Sequence, residues 1–147
     1  MSYQHIIVPV DGSQISYSAV KKAAEIAKAF NSQLSLISLI AEDPFTDADF
    51  YYSSAIMKDY FAQAHANAKE ALKEARTLAE EFGINAEAEI IEGPVNAKTI
   101  AKVSIDKKAD LIVMGSHGRK GFQKILLGSF AQDVLSNTQL PVLIIKQ

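Results

Sequence analysis

At 147 residues, with 48% hydrophobic and 22% charged side chains, the chain has the size and balance of one globular domain with room for a sizeable core. A formal charge of -2 supplies no basic face for duplex nucleic acid, and the lack of cysteine removes disulfides, thiolate catalysis and cysteine-ligated zinc together. No secretory signal is visible in "MSYQHIIVPVDGS" and "LSLISLIA" falls far short of a membrane span, so a cytoplasmic protein with no nucleic-acid or membrane partner is expected.

Short β-branched or leucine-rich runs alternate with longer helical patterns. "HIIVPV" predicts a first strand, and Ser13 to Phe30 a first helix, capped by Ser13 and carrying Val20, Ala23, Ala24, Ala27 and Phe30 at helical spacing. "LSLISLI", Leu34 to Ile40, predicts the second strand. The acidic, aromatic connection "AEDPFTDADFYY" leads to a long helix from about Ser54 to Phe82. Its stripe is Phe61, Ala64, Ala68, Leu72, Ala75, Leu78 and Phe82, and Gly83 is its C-terminal cap. "INAEAEIIE" alternates weakly, as a half-exposed strand does, and Pro94 suits the first turn of a helix near Val95 to Asp106. "DLIVMG" predicts a buried strand running into a glycine cluster, Ser129 to Asn137 a last helix, and "PVLIIK" the closing strand.

Strand-helix alternation of this kind implies an α/β domain: a doubly wound, open parallel sheet of five strands with helices on both faces. "IIVPV" and "LIVMG" are the most uniformly apolar runs and belong side by side at the centre, while "INAEAEIIE" suits an edge. The strand order is then 3-2-1-4-5. Winding reverses between the first and fourth strands, where open parallel sheets bind ligands, and the loops "VDGS" and "GSHG" face each other there. Pro9 is awkward inside a central strand because it lacks a ladder donor, but it stands near the carboxyl end, where pairing stops.

The stretch "GSHGRKGFQKILLGS", Gly115 to Ser129, fits neither the Walker A pattern nor the dinucleotide G-x-G-x-x-G after a first strand. It does place Gly115-x2-Gly118-x9-Gly128-Ser129 between a buried strand and the start of a helix. Backbone N–H groups at a helix start attract anions, and glycines let phosphate oxygens approach. Arg119, Lys120 and Lys124 add positive charge, and the Ser116 and Ser129 hydroxyls are further donors. Spaced glycines alone are better explained by a glycine-bearing turn followed by an ordinary serine cap, with the basic residues solvated; the context shifts the balance.

The combination resembles the universal stress protein family, in the subset that binds ATP. The resemblance spans essentially the whole chain, through "IIVPVDGSQISYSAVKKAAEIAKAF", "ADLIVMGSHGRKGFQKILLGSFAQDVL" and "LPVLIIK", and the Gly-x2-Gly-x9-Gly-Ser/Thr signature is complete. It implies phosphate binding by Gly118, Gly128 and Ser129, with Ser116, His117 and Arg119 in the same loop. It brings Gly115 and the Pro9 main chain to the ribose and Asp11 to the ribose or to a phosphate-bound Mg2+ or Mn2+. Leu39 and Met114 would wall the adenine, with Val10 nearby. Phe130, directly after Gly-Ser, departs from the small or β-branched residues frequent in the family.

His117 invites a catalytic reading, but no partner carboxylate is evident and a positioning or solvent-exposed role is favoured; His5 and His65 lack ligand spacing. Glu42, Asp43, Asp47 and Asp49 lack the EF-hand pattern and suit a solvated connection better than a flap over the crevice. An apolar last strand at a sheet edge needs cover, and the resemblance implies a homodimer through residues 141–146. The leading expectation is an ATP-binding sensor or chaperone-like module. A slow ATP-hydrolysing or adenylating enzyme is the alternative, and a phosphoacceptor receiver domain ranks last because only Asp11 of its acidic set is available.

Overall fold

In the computed structural model, which describes residues 3–42, 54–118 and 127–146, strands and helices alternate along the chain. They are β1 (His5–Pro9), α1 (Gln14–Phe30), β2 (Gln33–Ile40), α2 (Ser54–Glu81), β3 (Glu87–Glu92), α3 (Ala97–Asp106), β4 (Leu111–Gly115), α4 (Ser129–Asn137) and β5 (Val142–Ile145). The strands form one parallel sheet in the order β3-β2-β1-β4-β5, as the hydrophobic grading of the runs predicts. The connection carrying Asp43, Asp47 and Asp49, and the basic residues Arg119, Lys120 and Lys124, lie outside the described residues.

Period-two alternation divides the central strands between two cores. Ile6, Val8, Leu34, Leu36, Leu111 and Val113 face α1 and α2, where Ala19, Val20, Ala23, Ala24 and Ala27 let α1 lie close to the sheet. Ile7, Ile37, Ile112 and Met114 face the other way, against Ala97 and Ile100 of α3 and Ala131 and Val134 of α4. In α2 the buried stripe includes Ala68, Leu72 and Ala75, widened by Ala71 and Ala79, with Leu78 and Phe82 packed beside it. Phe61 and Ala64, expected on the same stripe, are half-buried.

Local chemistry sets the helix limits. Ser13 is extended and its hydroxyl accepts from the Ser16 N–H at 3.2 Å, capping α1. Asn31 ends α1 in the left-handed region, at φ 56°. Gly83, at φ 79°, ends α2, and the Ile84 N–H reaches back to the Ala79 carbonyl at 3.1 Å, so the chain leaves through a left-handed turn.

Two sequence expectations need correction. Phe30 is 42% exposed and does not complete the buried stripe of α1; one turn beyond Ala27 the helix overruns the sheet, and Phe30 meets Tyr3 edge-on with ring centroids 5.7 Å apart. Pro94 is not in the first turn of α3, which begins at Ala97. Asn96 is the better cap and accepts from the Thr99 N–H at 3.0 Å, while the Thr99 hydroxyl donates to the Pro94 carbonyl at 2.7 Å and holds the proline outside.

At the amino ends of the strands, the Gln4 and His5 N–H groups donate to the Asp110 carboxylate at 2.8 and 3.0 Å. The His5 ring spans the same end, with Nδ1 donating to the Lys107 carbonyl at 2.8 Å and Nε2 at 2.7 Å from the Ser35 hydroxyl. His5 is therefore a structural brace. Among the described residues, no helix is long and apolar enough to cross a membrane.

A Cβ on Gly83 would meet nothing within 4 Å, so Gly83→Ala isolates the cost of the left-handed backbone. It should lower unfolding free energy by about 1 kcal/mol in urea denaturation. Ile100→Ala, which empties a fully buried position, should cost about 2–5 kcal/mol in the same assay.

Candidate functional site

Where β1 and β4 end side by side, their helices leave on opposite faces of the sheet, and the two following loops remain between them. Pro9 is the last residue of β1, where its missing donor is least costly, and the Val10 N–H resumes the ladder by donating to the Ile37 carbonyl at 2.7 Å. The Val10 side chain is buried on the α1 and α2 side. Gly12 turns the chain at φ 83°. One Asp11 oxygen, Oδ1, then accepts from both the Ser13 N–H, at 2.9 Å, and the Ser13 hydroxyl. This fixes an exposed carboxylate at the start of α1, where the helix dipole favours negative charge.

The other oxygen faces the second loop. A Cβ on Gly118 would stand 3.0 Å from Asp11 Oδ2, so the expected opposition of "VDGS" and "GSHG" is present in the fold. Ser116 is buried; its N–H donates to the Ile145 carbonyl at 2.8 Å, and its own carbonyl accepts from the Gly128 N–H at 2.6 Å. The two ends of the basic stretch are thereby clasped together. His117 is half-buried with Nδ1 3.1 Å from the Ser116 hydroxyl, an arrangement that positions the ring within the loop.

A side chain at each of three glycines would crowd a different neighbour. At Gly118 a side chain would press on the Asp11 carboxylate. At Gly128 it would stand 3.1 Å from the Ser116 carbonyl and 3.2 Å from the His117 Cα, breaking the clasp. At Gly115 it would stand 2.9 Å from both γ-carbons of Ile15, so this glycine admits the first turn of α1. Sequence reasoning misses Ile15 because nothing in its spacing marks it as a partner of a residue a hundred positions away.

Gly128 caps α4 in extended conformation without a side-chain acceptor, and the first helical bond runs from the Gln132 N–H to the Gly128 carbonyl at 3.0 Å. Among the described residues, no acceptor engages the N–H groups of Ser129, Phe130 and Ala131, which emerge beside the clasp with the helix dipole behind them. Gln132 is a second residue that the sequence reading misses: its Nε2 donates to the Leu127 carbonyl at 2.9 Å and secures the entry to α4. A glutamine in the first turn of a predicted helix was the available signal.

Leu39 and Phe130 both pack against the apolar cluster that contains Met114, on the α3 and α4 side. The bulk of Phe130 is thus directed into the core, while Ser129 is exposed. Arg119 falls outside the described residues. Among the described residues, no group of three His, Asp or Glu side chains is placed to hold a metal ion, so a cation here would depend on oxygens brought by a ligand, with Asp11 as a single carboxylate.

Comparison with known proteins agrees with this architecture. The family model described as the universal stress protein family matches residues 2–146. Universal stress protein MJ0531 of Methanocaldococcus jannaschii is 38% identical over 145 residues, covering 99% of this chain and 83% of the relative. The solved structure of universal stress protein UspA from Lactobacillus plantarum superposes with a TM-score of 0.84 at 23% identity, covering 99% of both chains, and shows the shared fold. That of the universal stress protein from Archaeoglobus fulgidus in complex with dAMP superposes with a TM-score of 0.71 at 25% identity, covering 99% of this chain and 100% of the other.

The assignment of Gly115 to helix packing is checked by a double-mutant cycle with Ile15. Gly115→Ala should cost about 1–3 kcal/mol through overpacking, because a β-branched side chain in a helix has little freedom to move aside. With Ile15→Ala the same substitution should cost markedly less, a coupling of about 1 kcal/mol or more in urea denaturation.

Proposed function

This chain belongs to the universal stress protein family, and we propose that it acts as an ATP-holding binding module, a nucleotide-dependent sensor or chaperone-like partner in a stress response. The observation that carries the reading is the convergence of Gly118 on Asp11 beside the first N–H groups of α4, for which no acceptor is found among the described residues. A polyphosphate needs such amide donors, and it needs them close to a backbone without side chains.

In this reading Gly118, Gly128 and Ser129 bind phosphate through N–H groups and the Ser129 hydroxyl. Ser116 and His117 hold the loop, and Arg119 adds charge. The Pro9 main chain and Gly115 border the ribose, and Asp11 Oδ2 turns to the ribose or to Mg2+ or Mn2+ carried on the phosphates. Leu39 and Met114 form the adenine wall, with Phe130 packed behind it and Val10 holding the β1 end from the opposite core. The relative solved with dAMP supports an adenine nucleotide. With His117 engaged by Ser116, no free base is assigned at the terminal phosphate and turnover is expected to be negligible.

We place the protein in the cytoplasm as one domain. We also propose a homodimer through β5, the sheet edge opposite β3, where Leu143 is 36% exposed on an otherwise half-buried apolar strand. Leu143→Lys should convert the dimer to monomer in sedimentation equilibrium; a wild-type monomer at micromolar concentration would refute the interface.

Denaturing freshly purified protein should release ATP, identified by mass spectrometry, and incubation with ATP should yield little ADP. Gly118→Val should weaken ATP binding at least tenfold in calorimetry while leaving the thermal melt unchanged, because the new side chain would crowd Asp11 Oδ2. Unaltered affinity, or many turnovers per minute, would overturn the proposal.

A further inference from the structure

The outer edge of β3 carries a trough unrelated to the crevice. Two adjoining concavities share Arg76, Ala88 and Glu89, and together they run along the strand between its exposed margin and α2. Their helical wall includes His65, Lys69, Lys73 and Arg76, spaced three or four residues apart and therefore on one face of α2. All four are exposed, and among the described residues no ion pair engages Lys69, Lys73 or Arg76. Glu80 is the acidic side chain of that wall.

The strand beneath offers backbone groups. β3 pairs only with β2 among the described strands. The Gly93 N–H donates inward to the Ile40 carbonyl at 3.0 Å, so by alternation Ile91 and Glu89 also point inward, while the N–H and C=O groups of Ala88, Ile90 and Glu92 point to the open edge. The two faces of this edge differ in charge. Ala88 and Ile90 lie on the α2 side with the cations, with Glu92 at the carboxyl end of the same face, whereas Glu89 is turned to the α3 side and paired with Lys107 at 2.6 Å.

We infer that this edge is a docking site for an extended polypeptide with acidic side chains at alternate positions, which adds to β3 as a further strand and sets its carboxylates against Lys69, Lys73 and Arg76. Backbone pairing supplies a generic attachment and the cationic stripe selects the partner. Alternation is part of the specification, because acidic residues on the opposite face would meet Glu87 and Glu89. A second copy of the chain is a poor occupant: pairing β3 with its own twofold image brings the cations of one α2 towards those of the other, and the register centred on Ala88 sets Glu87 against Glu89.

A fluorescein-labelled heptapeptide of alternating glutamate and threonine should bind the full-length protein saturably by fluorescence anisotropy, more weakly as salt rises. The same peptide with lysine for glutamate should not bind. Lys69→Glu with Lys73→Glu should weaken binding at least tenfold. Ile90→Pro, which deletes an outward N–H but no inward one, should abolish it, with circular dichroism melts confirming that both variants fold. On the wild-type protein, the peptide should shift the amide resonances of Ala88, Ile90 and Glu92, a readout that stands even if a variant misfolds. Absence of binding, equal binding of the lysine peptide, unshifted edge amides, or self-association through β3 in place of peptide binding would overturn the inference.

Discussion

The candidate site depends on β1 lying beside β4, with Ile6 opposite Leu111 and Ile7 opposite Ile112. These strands are distant in sequence, and the four paired residues are fully or nearly fully buried aliphatics, each contributing about 1.5–3 kcal/mol on burial. Because one strand feeds a helix on one face and the other feeds a helix on the opposite face, their loops are left facing each other. The crevice is a product of winding, and its chemistry is added by what those loops carry. At the far end His5 and Asp110 tie the amino ends of the same strands together, so the sheet is braced at the end opposite the candidate site.

Much of the fold is legible in the sequence because the signals are redundant. The uniformly apolar "IIVPV" and "LIVMG" identify central strands, the mixed "INAEAEIIE" identifies an edge, and parallel crossovers leave few alternatives for the helices. Boundaries fail where two local preferences compete. Pro94 and Asn96 both suit the start of α3, and Asn96 prevails because its side chain satisfies an otherwise orphaned N–H. Phe30 keeps helical spacing but has no sheet beneath it; periodicity states which face a residue occupies and not how far the opposing layer extends.

At the candidate site, legibility divides differently. That loop glycines and Asp11 belong to one place follows from winding and from the family resemblance. Why each glycine is a glycine does not, since the obstruction at Gly115 comes from Ile15, that at Gly118 from Asp11, and that at Gly128 from the chain just after β4. A one-dimensional motif records these three unrelated steric demands as a single pattern. The start of α4 was suggested by Gly-Ser, and a glutamine in its first turn was a signal for Gln132, but the Leu127 carbonyl it holds is identified by the structure alone.

The hydrogen bond from Gly128 to Ser116 has an evolutionary corollary. A length of chain whose two ends already meet can be rewritten inside with little effect on either anchor, since doubling such a loop adds only about 0.6 kcal/mol of closure entropy. Substitutions within that interval can therefore change its charge while the Gly128 to Ser116 hydrogen bond at its base is kept.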